Sequence, residues 1–195
     1  MWEQVQQGTQ PLIWRMPEGI LHLSLPSHPV AVLSGSFNPL HQGHRELRAA
    51  AERRLNGPVF YEMTITNADK PPLDQRNIET RCRQFDQHPL CVTNAPTFVQ
   101  KARLLPGVVF VVGADTAERI VQPRFYNNCP VTMQNALDQI RQAGCRFLVA
   151  GRLTRGTFQT RSQIRIPRAC EDLFDSLPES EFRRDISSTE LRDQG

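Results

Sequence analysis

The chain has 195 residues, of which 39% are hydrophobic and 22% charged, and its formal net charge is +3. This hydrophobic content is too high for a disordered chain, and the length fits one globular domain. The weak, dispersed positive charge suits a protein that handles small anions. A basic stripe with interleaved aromatic residues, which would indicate nucleic-acid binding, does not occur in the sequence, so we expect no nucleic-acid partner.

The cysteine pattern and the hydropathy exclude further classes. The five cysteines are widely spaced and form no CxxC pair, so we expect neither a structural zinc site nor a disulfide framework. No stretch approaches the roughly 18 apolar residues that span a bilayer, and the N-terminus lacks an apolar signal-peptide region. We expect a cytoplasmic protein with reduced thiols, no membrane partner and no metal held by a cage of protein ligands. The sequence carries no signal for the oligomeric state.

Hydrophobic spacing predicts alternating strands and helices along most of the chain. Residues 1–28 are expected to form an N-terminal extension, with a hairpin at 10–25, and residues 29–195 the main domain. Apolar runs predict strands at 30–33, 59–65, 90–93, 108–112 and 146–150, with a further strand at 163–166. Helical spacing predicts helices at 43–55, 78–85, 98–105 and 133–140, a short one near 170–175 and one that begins near 187. This alternation predicts an α/β fold with a single doubly wound, Rossmann-like parallel sheet and helices on both faces.

The loop after the first strand of the main domain carries the strongest chemical signal. It reads Gly35-Ser36-Phe37-Asn38-Pro39-Leu40-His41-Gln42-Gly43-His44 and leads into a helix. Gly35 and Gly43 would let the backbone approach a ligand closely, and the helix N-terminus attracts phosphate. Either histidine alone could be an ordinary loop or surface residue, but the pair in this setting indicates donors to phosphate oxygens. A zinc site is not indicated, because the HExxH spacing and a third ligand are missing.

This loop resembles the G-x-F-x-P-x-H-x-G-H signature of the nucleotidylyltransferase superfamily. Its members include nicotinamide mononucleotide adenylyltransferases, pantetheine-phosphate adenylyltransferases and cytidylyltransferases. Residues 186–192, Ile-Ser-Ser-Thr-Glu-Leu-Arg, resemble the second signature of the superfamily, I-S-S-T-x-x-R. The resemblance covers about residues 30–195. It implies a Rossmann-like fold and the transfer of a nucleoside monophosphate from a nucleoside triphosphate to a phosphate-bearing acceptor.

The resemblance also implies roles for residues of the first signature. His41 and His44 match catalytic histidines that contact the triphosphate and stabilise the transferring α-phosphate. The loop residues around them are expected to bind the nucleotide: Gly35, Ser36, Phe37 and Gly43. The implied cofactor is Mg²⁺, bound mainly through the phosphates of ATP.

Further matches lie outside that loop. Gly113 and Asp115 match a G-x-D that binds the nucleotide ribose, and Lys70 matches a lysine that neutralises phosphate charge. The terminal signature matches residues that hold the β- and γ-phosphates: Ser187, Ser188, Thr189 and Arg192, the last of these counted as catalytic. By residue type alone, Asp115 could instead cap the next helix, Lys70 could be an exposed loop lysine, and the hydroxyl run could be a plain N-cap. Arg81 could neutralise phosphate or be surface charge.

The acceptor is read from smaller features. The terminal Ile-Ser-Ser-Thr and the Gly-Ala-Asp-Thr at 113–116 are most similar to nicotinamide mononucleotide adenylyltransferases, so the expected partners are ATP and that acceptor. Two segments depart from this branch: residues 68–72 lack its proline-histidine-lysine triplet, and residues 122–126 lack its tryptophan. Another acceptor, CTP as donor, or a catalytically weak regulatory module therefore stay open. Residues 151–157 resemble a P-loop without its lysine and are expected to be a loop.

Overall fold

A computed structural model describes residues 1–25, 29–66, 72–154 and 157–183 of the chain. Its strands, in chain order, are β1 Leu12–Arg15, β2 Leu21–His22, β3 Ala31–Ser34, β4 Val59–Thr64, β5 Leu90–Thr93, β6 Val109–Gly113, β7 Arg146–Ala150, β8 Arg152–Thr154, β9 Thr157–Gln159 and β10 Phe174–Leu177. Among the described residues, eight of these strands form one sheet in the order β10-β7-β6-β3-β4-β5-β1-β2, while β8 and β9 form a separate ribbon.

The helices lie before and between these strands. They are α1 Trp2–Gln6, α2 Gln42–Leu55, α3 Gln75–Cys82, α4 Phe98–Leu104, α5 Ala114–Ile120 and α6 Pro130–Gln142, with 3-10 turns at Pro123–Phe125, Arg161–Gln163 and Arg168–Leu173. Asp74 accepts a hydrogen bond from the Asn77 backbone N–H at 2.7 Å and so caps α3. Asn56 ends α2 in the left-handed conformation, with φ of 50°. No helix in the described segments is long and apolar enough to cross a membrane.

The sheet is doubly wound, as the alternation predicted. Strands β3, β4, β5, β6, β7 and β10 pair in parallel. Neighbouring residues of β3 face opposite layers: Leu33 packs with the cluster that includes Leu47 of α2, and Val32 with the cluster that includes Leu137 of α6. The chain runs from β3 outward to β5, then returns to the other side of β3 as β6. The strand order therefore reverses between β3 and β6, where such folds bind ligands.

The N-terminal segment completes one edge of this sheet. Strands β1 and β2 pair antiparallel, and β1 pairs antiparallel with β5, with Ile13 opposite Val92. Ile13 and Trp14 are both buried. The segment thus contributes strands and core side chains to the sheet.

The structure beyond residue 150 differs from the predicted elements at three places. The strand predicted at 163–166 is absent from this described segment, since Arg161–Gln163 is a 3-10 turn and the two isoleucines that follow pack on the core from outside the sheet. The short helix predicted near 170–175 is a 3-10 helix at Arg168–Leu173, and the end of the predicted range belongs to β10, which pairs with β7. The loop predicted at 151–157 contains β8 and the start of β9, which pair antiparallel. That ribbon differs from the strand–loop–helix geometry of a P-loop.

Candidate active site

The two histidines of the first signature meet at the start of α2. His41 is the N-cap residue, and His44 lies in the first turn. Their rings stack with centroids 3.7 Å apart and planes 23° apart. The backbone N–H of His41 donates to Nδ1 of His44 at 3.3 Å. Because Nδ1 accepts this bond, the neutral His44 ring carries its proton on Nε2, which is then the nitrogen able to donate to a phosphate.

The glycines of the loop make room for its own rings. A Cβ at Gly43 would lie 3.1 Å from Nδ1 of His41, and a Cβ at Gly35 would lie 2.9 Å from the Phe37 ring. Sequence reasoning assigned both glycines to close approach of a ligand. The structure adds a different reason for them, because any side chain at either position would displace a ring of the motif.

Phe37 lies in the core and supports His44. Its exposed fraction is 1%. Its ring makes edge-to-face contacts with His44, Tyr61 and Phe85 at centroid distances of 5.1, 5.3 and 5.2 Å. The Phe37 backbone has φ of 44°, which is unfavourable for a bulky residue, and burial of the ring offsets that cost. In this structure the ring therefore acts on the site through His44, although the sequence grouped Phe37 with residues that contact the nucleotide.

The second part of the site lies at the end of β6. Strands β3 and β6 are parallel neighbours, with Leu33 level with Val111, so their following loops leave the same edge of the sheet side by side. Gly113 is the N-cap residue of α5, and a Cβ there would lie 2.8 Å from Oδ1 of Asp115. The carboxylate is thus folded toward the start of α5. This position is compatible with capping and with hydrogen bonds to ribose hydroxyls at the same edge.

Helix α3 contacts the histidine loop from its other side. Nη1 of Arg81 donates to the Ser36 carbonyl at 3.0 Å, and the Gln84 side chain donates to the Phe37 carbonyl at 3.0 Å. The interpretation of Arg81 as a phosphate ligand or as surface charge stays a prediction, and the bond to Ser36 adds a contact between this side chain and the loop backbone. Gln84 was not predicted, and no sequence signal could have found it, because a glutamine after a helix belongs to no motif.

Several predicted residues lie outside the described part of the chain. These are Lys70 and the terminal group Ser187, Ser188, Thr189 and Arg192. Within the described segments, no three His, Cys, Asp or Glu side chains come together in a way that could hold a metal ion. Mg²⁺ stays a prediction, as an ion held mainly by the phosphates of ATP.

The family model described as Cytidylyltransferase-like matches residues 32–194. The chain belongs to the cytidylyltransferase-like family. A search of curated proteins finds no match to it.

Membership in the cytidylyltransferase-like family agrees with the geometry at the β3–β6 edge. The match spans both predicted signatures, including the terminal run outside the described residues. The predicted superfamily and the Rossmann-like fold are confirmed, and the family supports a nucleotidyltransferase activity.

Proposed function

We propose that this cytidylyltransferase-like protein transfers AMP from ATP to a small phosphate-bearing acceptor, such as nicotinamide mononucleotide, and releases pyrophosphate. The observation that carries this proposal is the stacked pair of His41 and His44 at the amino end of α2. Two imidazoles and the positive end of a helix offer hydrogen-bond donors and positive potential to a triphosphate. The adenylyl group and the acceptor rest on the resemblance of residues 113–116 and of the terminal signature.

The proposed reaction needs positioning and charge stabilisation from the protein. An ionised phosphate oxygen of the acceptor attacks the α-phosphorus in line. The bond from that phosphorus to the bridging oxygen of the β-phosphate breaks, and its electron pair leaves with pyrophosphate. No proton has to be removed from the nucleophile, so no general base is required.

Each residue of the site has a role in this proposal. The Nε2–H of His44 donates to an α-phosphate oxygen as charge builds on it, and His41 donates beside it. Asp115 accepts from the ribose hydroxyls. Lys70 and Arg192 neutralise phosphate charge, for which the planar guanidinium of Arg192 offers two parallel donors.

The first experiment measures pyrophosphate release with Mg²⁺ and a panel of donors and acceptors. The donors are ATP and CTP, and the acceptors are nicotinamide mononucleotide, phosphopantetheine and simpler phosphate esters. Release with ATP and nicotinamide mononucleotide, above a blank without acceptor, supports the proposal. Release only with CTP would replace ATP as the proposed donor, and release only with another acceptor would replace nicotinamide mononucleotide. No release with any donor and acceptor would favour a regulatory nucleotide-binding module.

A variant pair tests the role of the histidines. We expect His44→Ala to lower kcat by about a hundredfold or more, since one preorganised donor to the transition state is lost. The matched control is His22→Ala, an exposed histidine on β2, which should leave kcat unchanged. Near-normal turnover by a folded His44→Ala protein would remove His44 from the proposed mechanism.

A further inference from the structure

We infer that Gln84 is a positioning residue for the histidine pair, which it holds through the loop that precedes α2. The catalytic consequence rests on the proposed function, whereas the effect on the loop does not. Gln84 lies two positions after Cys82, the last residue of α3, and faces a loop more than forty positions earlier in the chain.

The side-chain amide of Gln84 uses both its donor and its acceptor. Nε2 donates to the Phe37 carbonyl at 3.0 Å and to the Arg81 carbonyl at 3.2 Å, and Oε1 accepts from the Leu40 backbone N–H at 2.7 Å. The two loop contacts lie on either side of residues 38–39. Among uncharged side chains, a carboxamide is the group that can accept at one atom and donate from a neighbouring atom in this way.

The residues around Gln84 are well packed. Helix α3 is capped by Asp74, and its inward residues Ile78 and Cys82 are buried. Phe85, next in the chain, is buried against the Phe37 ring at a centroid distance of 5.2 Å. The Gln84 backbone is therefore held between two packed neighbours, and its side chain transmits that fixed position to the loop.

The position of Leu40 determines the geometry of the histidines. The peptide after Leu40 supplies the His41 N–H that donates to Nδ1 of His44 at 3.3 Å. This bond is already near the upper limit of hydrogen-bond length, so a small rotation of the peptide would break it. His44 would then lose the contact that keeps its proton on Nε2. Gln84 thereby maintains both the orientation and the tautomer of His44.

The test compares Gln84→Met, which keeps side-chain length but removes all three hydrogen bonds, with Gln84→Glu, which keeps only the acceptor for Leu40. The control is Gln75→Met, because Gln75 is an exposed glutamine at the start of α3 whose Nε2 donates to Glu79 at 2.9 Å and not to the loop. Three quantities are measured: hydrogen exchange of the Leu40 amide, the ¹⁵N chemical shifts of the His44 ring, and kcat and KM for ATP.

We expect faster Leu40 exchange and a mixed His44 tautomer in Gln84→Met. Its kcat should fall about tenfold to a hundredfold while KM for ATP changes little, since misplaced donors affect the transition state more than binding. Gln84→Glu should be intermediate and Gln75→Met unchanged. If Gln84→Met does not fold, Gln84→Glu alone carries the comparison.

Two results would overturn the inference. One is an unchanged Leu40 exchange rate and His44 tautomer in a folded Gln84→Met protein. The other is an unchanged kcat in a variant whose Leu40 amide exchanges faster than in the wild type. If the wild type releases no pyrophosphate with any donor and acceptor, the proposed function fails, and the exchange and ¹⁵N measurements still decide whether Gln84 holds the loop.

Discussion

Replacement of Lys101 by methionine tests a buried ion pair between α4 and the centre of the sheet. Nζ of Lys101 lies 2.6 Å from Oε2 of Glu62, and the exposed fractions of the two side chains are 7% and 0%. Oγ1 of Thr93 donates to the other carboxylate oxygen at 2.7 Å. Lys101→Met keeps the side chain's length and apolar stem but leaves the carboxylate buried without its cation.

The cost of this change can be bounded from the geometry. At 2.6 Å and an effective dielectric constant of about 20, the attraction between the two charges is about 6 kcal/mol. Removing one partner of a buried ion pair lowers the free energy of unfolding by about 3–5 kcal/mol, because the remaining charge stays desolvated. A domain of this kind has a total free energy of unfolding of about 5–15 kcal/mol. Lys101→Met should therefore remove about a fifth or more of the stability.

Urea unfolding at pH 7, followed by circular dichroism, measures this cost. The control is Arg54→Met, which breaks the pair of Arg54 Nη1 with Glu181 Oε1 at 3.3 Å, where the side chains are 48% and 36% exposed. It should cost less than about 1 kcal/mol. The double variant Glu62→Leu/Lys101→Met removes both charges and should recover most of the loss. The reasoning is refuted if Lys101→Met costs no more than Arg54→Met, or if the double variant is as unstable as the single one.

Three further predictions concern reactivity, pH and the terminal signature. Hydrogen bonds with Thr132 lower the pKa of the Cys129 thiol, while burial raises the pKa of the other four cysteine thiols. A limiting amount of iodoacetamide should therefore label Cys129 first. Peptide mass spectrometry that finds another cysteine labelled before Cys129 would contradict this. Burial lowers the pKa of His88, so the folded state favours the neutral ring. The free energy of unfolding should therefore decline as pH falls below the ordinary histidine pKa of about 6.5. In His88→Phe, the dependence of the free energy of unfolding on pH should be weaker. Arg192→Ala should cost roughly 2–3 kcal/mol in kcat/KM, and Arg192→Lys should restore part of that loss. The Tm measured without ATP should change little. A variant with a lowered Tm and normal turnover would show that Arg192 has a structural role instead.

The sequence alone determined the parts of this protein that depend on neighbours along the chain. Continuous apolar runs predicted the central strands, because strands covered on both faces need apolar side chains at every position. The strand at Leu90–Thr93 and the strand at Arg146–Ala150 were predicted at their observed bounds. The loop from Gly35 to His44 was located by its residue pattern, which led to the superfamily that the family match confirms.

The tertiary structure alone decided how distant segments act on that loop. Strand β10 reads Phe-Asp-Ser-Leu, which is neither a continuous apolar run nor a strict alternation, and it becomes a strand because β7 offers an edge to pair with. The hairpin of β1 and β2 joins the sheet through β5, far along the chain. Phe37 reads as part of a ligand loop, yet its ring is buried against Tyr61 and Phe85. Gln84 meets Leu40 across 44 positions of sequence. Hydrophobic spacing predicts which side of a helix or strand is buried, but it does not predict which distant residue will pack against that side.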